Sequence, residues 1–546
     1  MTAQREGEPV AGVQAGQGRR AWRTVVAVVA LVAVSIATVR LERPSDDLAI
    51  ETLQVDDLPV TVWQSASGTP SGSGRVVLIA HGFAGSQQLM QPFATTLARA
   101  GWIAITFDFP GHGRHPGPMR GGLVDENESL RTLLAALERM RGFAQQRSRS
   151  AGGDGSYALV GHSMASDLVV RHAQAHPADV FATVGVSLFA PTIEASTPAD
   201  SPRNLLVVHG ALEPAMMATE ARRVVTVVGG TGTVADTTYG RFADGTARRE
   251  TAAPGVEHIA VLYSPHTLDA TRRWLDAAVG REEAAAAPGF VDARGPWFAL
   301  LFAGVIALAW PLSRALPRLA PADAPDEMPT MPRGPAWSRR GFAWRVLIPA
   351  VATPLLLWPF PSDWLSIVLG DYLALHFALY GALTFGAQRL AGSRWPAPAP
   401  GRRLAFAAAV VAAITWAALA VGVPIDRWVF NLQPAADRAL PIAVLCVAAL
   451  VWCLADEWLA RDPAAPRGAY AWTKAAFVLS LVLAIALNPS RLFFLALLVP
   501  AILVLFVIHG LFSRLTFART GYPFVAAVAN AVVFGWFIAV TFPRVR

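Results

Sequence analysis

Tyr157-Ala158-Leu159-Val160 followed by Gly161-His162-Ser163-Met164-Ala165 is the stretch on which the reading of this chain turns. The first four residues are a short apolar run, as expected for a buried strand. The residues after it, Ser166 to Ala173, place Leu168, Val169 and Ala173 on one helical stripe. Between them stands a serine with a small residue two positions before it and another two positions after. That is the spacing of a nucleophile elbow, a strand-to-helix turn too sharp for side chains at the flanking positions. Such a turn lifts the serine hydroxyl clear of the backbone, where a base and a substrate can both reach it. The fifth position holds Ala165 where glycine is more usual.

The elbow sits in the polar part of a long, mostly apolar chain. Of 546 residues, 53% are hydrophobic and 16% charged, which points to membrane segments over much of the length. The formal charge is +7, and Lys474 is the one lysine. The arginines punctuate apolar runs instead of clustering on one polar domain, so they read as topology signals and not as a nucleic-acid surface. Cys446 and Cys453 fall in one apolar run two helical turns apart, as small core residues, and no Cys/His spacing suggests a metal.

Residues 1–21 are polar and Gly-rich, and disorder on the cytoplasmic side is expected there. Arg19, Arg20 and Arg23 then lead into an apolar run from Thr24 to Val39. The run reads as a signal peptide, with Ser35-Ile36-Ala37 as a cleavage site, or as a membrane anchor over residues 22–40. Trp22 and Arg40 at its ends favour the anchor. Either way, residues 41–290 emerge on the outer side of the membrane.

That exported segment alternates strand-like and helix-like runs, the pattern of an α/β fold. Ile50–Val55 and Val60–Trp63 open as a pair of strands, and Val76–Ala80 is a buried strand. Trp102–Phe107, the elbow strand, Val184–Phe189 and Leu205–Val208 continue the sheet, with helices near residues 90–100, 126–144 and 267–279. About a dozen residues separate the last two of these strands, too few for a large helical cap, so an open or lightly covered site is expected.

From residue 296 to 546 apolar runs of membrane length recur, eight in all, one of them spanning residues 364–386. The connections carrying Arg314 and Arg318, Arg389 and Arg394, Arg461 and Arg467, and Arg514 and Arg519 alternate with Arg-poor turns. Nine spans follow, counting the anchor, with the Arg-rich connections inside. Within the run 364–386, Asp371 and His376 are candidates for a buried function or for interfacial solvation. No role is assigned to Asp456, Glu457, His509 or Asn530.

Four further motifs surround the elbow in chain order. His81-Gly82-Phe83 follows the Val76–Ala80 strand, and Asp108-Phe109-Pro110-Gly111-His112-Gly113 follows Phe107. His209-Gly210-Ala211-Leu212-Glu213-Pro214 follows Val208, and Gly255-Val256-Glu257-His258 precedes the last helix. With them, residues 50–280 resemble the α/β-hydrolase superfamily, in particular its serine-aminopeptidase and monoacylglycerol-lipase-like branches. The resemblance implies a mostly parallel sheet flanked by helices, joined here to an all-α polytopic membrane domain. It implies Ser163 as nucleophile, His258 as general base and Glu213 as the acid that orients it, in the chain order Ser, acid, His. Glu stands where the family more often has Asp, and Asp236 is the fallback; His266 is the competitor of His258. The backbone N–H groups of Phe83 and Met164 would form the oxyanion hole. His81 and the Asp108–Gly113 turn read as scaffold, and His112 and His115 lack a ligand-spaced carboxylate or cysteine for a metal.

The expected activity is cleavage of an ester, amide or thioester bond through an acyl-enzyme, with no metal and no cofactor. The expected location is a bacterial inner membrane, with the lipid bilayer as partner and a small or envelope-derived acyl compound as substrate. Two other readings remain: acyl transfer on the same triad, and a non-catalytic sensing module coupled to a transporter-like membrane domain.

Overall fold

The computed structural model describes residues 10–68, 74–122, 125–320, 337–360 and 363–546. Its amino half is built on one eight-stranded sheet of order β1-β2-β4-β3-β5-β6-β7-β8. The strands are β1 (Leu48–Val55), β2 (Leu58–Ser65), β3 (Val76–Ala80), β4 (Ile103–Phe107), β5 (Tyr157–His162), β6 (Val180–Val186), β7 (Leu205–Gly210) and β8 (Arg248–Ala253). β1 and β2 pair antiparallel, as do β2 and β4; the other pairings are parallel.

The parallel strands are apolar throughout because both faces are covered. Val76, Leu78 and Ala80 point into the core on one side of β3, and Val77 and Ile79 into the core on the other. β5 divides the same way, with Tyr157 and Leu159 against Ala158 and Val160. Helices α3 (Glu126–Ser150), α4 (Met164–Ala175) and α5 (Ala215–Gly229) fill one side. On the other side lie α2 (Gln91–Arg99) and α6 (Pro265–Ala278), followed by the short α7 (Glu282–Ala286). The expected β6 is shifted, Val180–Val186 in place of Val184–Phe189, because the chain must turn out of the sheet at Ser187, where φ is +53°. Helix α5 was missed. Its pattern is interrupted by Thr219, Glu220, Arg222 and Arg223, and only Ala221, Val224 and Val225 are fully buried.

Order reverses between β3 and β5: the chain leaves β3 for β4 on one side and later returns to β5 on the other. In an open α/β sheet, the crevice at the carboxyl ends of two such strands is where ligands bind. The turns leaving β3 and β5 are His81-Gly82-Phe83 and His162-Ser163-Met164.

The remaining helices are α1 (Val10–Glu42), α8 (Gly295–Ser313), α9 (Arg339–Leu357), α10 (Gly370–Leu390), α11 (Arg403–Trp416), α12 (Val423–Trp428), α13 (Ala439–Ala460), α14 (Ala469–Leu487), α15 (Pro489–Thr520) and α16 (Phe524–Thr541). A six-residue π segment joins α11 to α12. Among the described residues, eight helices are long and apolar enough to cross a membrane, counting α11 and α12 as one. Nine were expected. The run 364–386 does form α10, but Asp371, His376, Gln388 and Arg389 lower its apolarity, and it lies largely buried in the bundle. Asp371, in the first turn of α10, accepts the Trp364 N–H from the preceding connection at 2.7 Å; His376 lies between Tyr372 and Ser480. The bundle crossings are close where a helix offers glycine. A side chain at Gly381 would collide with the backbone of Trp452, and one at Gly535 with that of Cys446.

Helix α1 extends well beyond the expected anchor at its amino end. It runs unbroken from Val10 through Ser35-Ile36-Ala37 to Glu42, so part of the segment expected to be disordered is helical; residues 1–9 lie outside the described residues. It packs along α8, where Gly304 faces Ala30 and Val34.

One end of the helical region faces the sheet. The other gathers the arginine-bearing connections: Leu319 N–H donates to Thr520 O, Ala399 N–H to Leu319 O, Trp337 N–H to Ala464 O and Trp458 Nε1 to Arg394 O.

Candidate active site

Ser163 stands between β5 and α4 at φ +53°, ψ −118°, in a backbone conformation that costs energy for a non-glycine residue. The flanking positions show why small residues are required. A Cβ on Gly161 would lie 2.5 Å from Ala165 O and 2.7 Å from Val169 Cγ2, while Ala165 is itself fully buried. The serine is half-exposed at the carboxyl edge of the sheet.

Two loops, those after β7 and β8, meet it. Ser163 Oγ lies 3.0 Å from His258 Nε2, and His258 Nδ1 lies 2.5 Å from Glu213 Oε1. Glu213 Oε2 accepts the Gly210 N–H at 2.6 Å and the Ser187 hydroxyl at 3.0 Å, so every carboxylate oxygen is used. The Glu213 side chain is 1% exposed. Burial alone would raise its pKa. The hydrogen bonds from His258, Gly210 and Ser187 outweigh burial and hold the carboxyl below its ordinary value.

The longer glutamate is accommodated because its loop returns tightly to β7. Glu213 N–H donates to Gly210 O, and Leu212 N–H to Val256 O in the loop that carries His258. Asp236 stands elsewhere, bonded to the Thr251 hydroxyl at 2.6 Å and to Arg249. His266 shares that neighbourhood, with its Nε2 2.7 Å from Thr251 Oγ1. Neither is bonded to the serine or to His258.

On the opposite side of Ser163 lies the turn after β3. Gly82 approaches so closely that an added Cβ would sit 2.9 Å from His162 Nδ1 and 3.1 Å from Ser163 Cβ. Phe83 follows directly, and Ala84 is held at φ +56°. Met164 N–H is the first of α4 and has no carbonyl one turn back within the helix, so it is available to an anion, as at other helix N-termini. His81 braces this turn. Its Nδ1 lies 2.9 Å from Gly82 O and its Nε2 accepts the Phe109 N–H at 3.1 Å, an arrangement of the neutral imidazole. Complete burial lowers its pKa against the pull of Asp108. Asp108 accepts the N–H groups of Gln87 at 2.8 Å and Arg114 at 3.0 Å, tying the turn after β4 to the turn after β3.

His162 and Ser187 carry bonds that the sequence did not single out. His162 Nε2 is 3.0 Å from the carbonyl of His258 and so fixes the backbone of that loop. Ser187 is the second donor to Glu213. Their shared signal is position: His162 ends β5 and Ser187 directly follows β6, both at the carboxyl edge, where the crevice lies.

Among the described residues, Glu138, His172 and His176 are the group close enough together to hold a metal ion. They lie at the far end of α4 from Ser163, about 13 Å or more along the helix. Glu138 is paired there with Arg141 and His176, and His172 Nε2 is 2.8 Å from the Tyr157 hydroxyl.

The family model described as serine aminopeptidase, S33, matches residues 73–226, from β3 through the elbow into α5. No curated protein matches the chain. Among solved structures, a soluble variant of monoglyceride lipase from Saccharomyces cerevisiae is 13% identical, covering 42% of this chain and 96% of its own, with a TM-score of 0.31. TT1662 from Thermus thermophilus is 17% identical, covering 44% and 99%, with a TM-score of 0.31. A membrane phospholipase A described as a bacterial virulence factor is 14% identical, covering 49% and 97%, also at 0.31. The family match falls on the strands and the elbow described above, and the sheet domain has the α/β-hydrolase fold, joined to a helical region rich in candidate membrane spans.

Proposed function

We propose that this chain is a membrane-bound serine hydrolase that cleaves an ester, amide or thioester bond through a Ser163-His258-Glu213 triad. The observation that carries the reading is the continuous chain of contacts from Ser163 Oγ through both ring nitrogens of His258 to Glu213, at 3.0 and 2.5 Å. His258 Nε2 takes the hydroxyl proton as Ser163 Oγ attacks the carbonyl carbon. Glu213 fixes the tautomer that leaves Nε2 able to accept, and stabilises the imidazolium that forms. The Phe83 and Met164 N–H groups hold the negative oxygen of the tetrahedral intermediate. His258 returns the proton to the leaving alcohol, amine or thiol. Water, deprotonated by the same imidazole, then releases the acid and restores the serine.

Location supports an acyl substrate of the envelope or bilayer. The sheet domain sits on one end of the helical region while the arginine-bearing connections gather at the other. If arginines mark the cytoplasmic side, Ser163 works on the opposite, extracytoplasmic side. Four large apolar side chains stand around the triad, Phe189, Leu212 and Ile259 on loops and Met216 in the first turn of α5, each at least 40% exposed. They suit an apolar acyl group better than a charged peptide.

The test is labelling of the solubilised full chain with a fluorophosphonate, comparing wild type with Ser163→Ala and His258→Ala. Labelling of wild type alone is expected; an unlabelled wild type would remove the catalytic reading. A reporter fused in the linker near residue 290 should show export, and a cytoplasmic signal there would reverse the orientation.

A further inference from the structure

The sheet domain has no helical cap of its own between β6 and β7; residues 187–204 form a loop. The short connection led to the expectation of an open or lightly covered site. The helical region reaches the two turns on the oxyanion side and binds both.

The ring of Phe83 stacks on that of Phe494, at the start of α15, with centroids 4.2 Å apart and planes at 26°. Phe542, just past α16, meets the same ring edge-on at 6.5 Å. Asn431, in the connection from α12 to α13, is buried between the two turns. Its N–H donates to Ser86 Oγ at 3.0 Å, and its side-chain amide donates to Gly113 O at 3.1 Å. Its amide oxygen accepts from Arg114 Nε at 3.3 Å.

Arg438 is buried as well. One guanidinium nitrogen donates to Ala539 O and Phe542 O, at 2.7 and 2.8 Å, and the other to Gly111 O at 2.9 Å. The chain end completes the attachment. Arg544 N–H donates to Gly111 O at 2.8 Å, and Arg544 O accepts the Met119 N–H at 2.7 Å.

Phe494, Phe542 and the Asn431 N–H meet the turn after β3, while Arg438 and Arg544 hold the turn after β4, which Asp108 ties to it; the turn after β3 needs holding. Ala84 occupies the left-handed region next to Phe83, a conformation that persists only where the surroundings impose it. Within the sheet domain the turn is braced from below by His81 and Asp108. Above the ring of Phe83, the contacts come from α15 and the end of α16.

We propose that Phe494, Asn431 and Arg438 are positioning residues of the active site: the helical region holds the turn that carries the Phe83 N–H, so turnover depends on the outer ends of the membrane helices. The proposal rests on the reading of Phe83 N–H as an oxyanion donor. Loss of one such donor outright costs about 10²–10³ in kcat, and a displaced donor costs part of that.

The experiment uses the full chain in detergent or nanodiscs with a short p-nitrophenyl ester. Sites are counted by the endpoint of fluorophosphonate labelling, and kcat is expressed per labelled site. Phe494→Ala and Asn431→Ala are each expected to lower kcat about tenfold, with KM within about twofold, and to slow labelling without lowering its endpoint. Phe494→Tyr keeps the stacked ring and should restore most of kcat. Glu42→Ala breaks the Glu42–Arg427 ion pair at the same face of the helical region, away from Phe83, and should leave kcat unchanged.

Unchanged kcat in both alanine variants would overturn the proposal. So would a rise in KM alone, or an equal loss of kcat in Glu42→Ala, which would mark a general loosening of the fold. Failure of Phe494→Ala to accumulate leaves Asn431→Ala to decide. If wild type itself does not label, the hydrolase reading falls; if wild type labels and only the variants behave like it, that reading stands and the positioning role falls.

Discussion

The two sides of Ser163 are held by different parts of the molecule. On the acid–base side, the bonds of His258 run to Ser163, Glu213 and His162, and those of Glu213 to Gly210 and Ser187, all within the sheet domain. The helical region touches that side through a ring contact of Phe298 with Tyr263, five residues beyond His258. On the oxyanion side, Phe494, Asn431, Arg438 and Arg544 enter from elements more than 300 residues further along the chain. On the mechanism proposed above, proton transfer is a local property of the loops at the sheet edge, and placement of the oxyanion donor is shared with the helical region.

This contrast can be broken or sharpened by measurement. The largest effect belongs to Ser163→Ala, which removes the attacking atom. Ester hydrolysis per mole of folded chain should fall by about 10⁴ or more; residual turnover near the wild-type rate would place the chemistry elsewhere.

Next in size is Glu213→Gln, which keeps the shape but removes the charge that orients His258. A loss of about 10³ in kcat with little change in KM is expected. A loss below about tenfold would mean that the acid–base side is not the self-contained unit described.

His162→Ala should cost about tenfold in kcat, since the carbonyl of His258 loses its partner while the triad keeps its own bonds. Normal kcat in this variant would show that β7 and the Glu213 loop hold His258 without help.

Acid should weaken the sheet domain. Burial lowers the pKa of His81, His112 and His162, and that of His172 to about 4. These groups are neutral in the fold, whereas an unfolded histidine takes up a proton near pH 6.5. The stability they confer is complete above about pH 6.5 and is lost as pH falls below it, by up to about 1.4 kcal/mol per unit for each such group. Thermal unfolding followed at pH 7.5 and 5.5 should therefore show a lower midpoint at 5.5; an equal or higher midpoint would contradict the burial of these rings.

The smallest effect is expected from Asp236→Asn. Its bonds to Thr251 and Arg249 lie outside the triad, so kcat should stay within about twofold of wild type. A loss matching that of Glu213→Gln would exchange the two acids.

The strands that carry the site were legible because each is a short apolar run closed by a glycine-containing turn. β3, β4, β5 and β7 begin within a residue or so of their expected starts. The elbow was legible for the same reason that it is strained: Gly161 and Ala165 leave no room for larger side chains, and that restriction is written into residue type. Helix α5 was not legible, because its polar residues interrupt the apolar stripe and its packing against β7 and β8 supplies the rest. Asp456 and Glu457 looked unremarkable near a helix end. The bundle brings Asp456 to Lys474, and Glu457 to Arg461 and Ser513, pairings between residues up to 56 positions apart.

Sequence by itself determined the alternation of strand and helix, the membrane-length apolar runs and the residues able to act as nucleophile, base and acid. These follow from local periodicity, from turn sterics and from the chemistry of single side chains. In the sequence Glu213 is preferred and Asp236 is the fallback, because both acids lie between the serine and the histidine in the chain; in the fold the Glu213 carboxylate meets the imidazole and the Asp236 carboxylate meets Thr251. The seat of the helical region on the Phe83 turn was decided by tertiary structure alone. Stacking of Phe494 on Phe83 joins residues 411 positions apart, and no periodicity in either segment encodes that meeting. It is settled when apolar rings and unpaired backbone carbonyls at the helix ends find the partners that bury them.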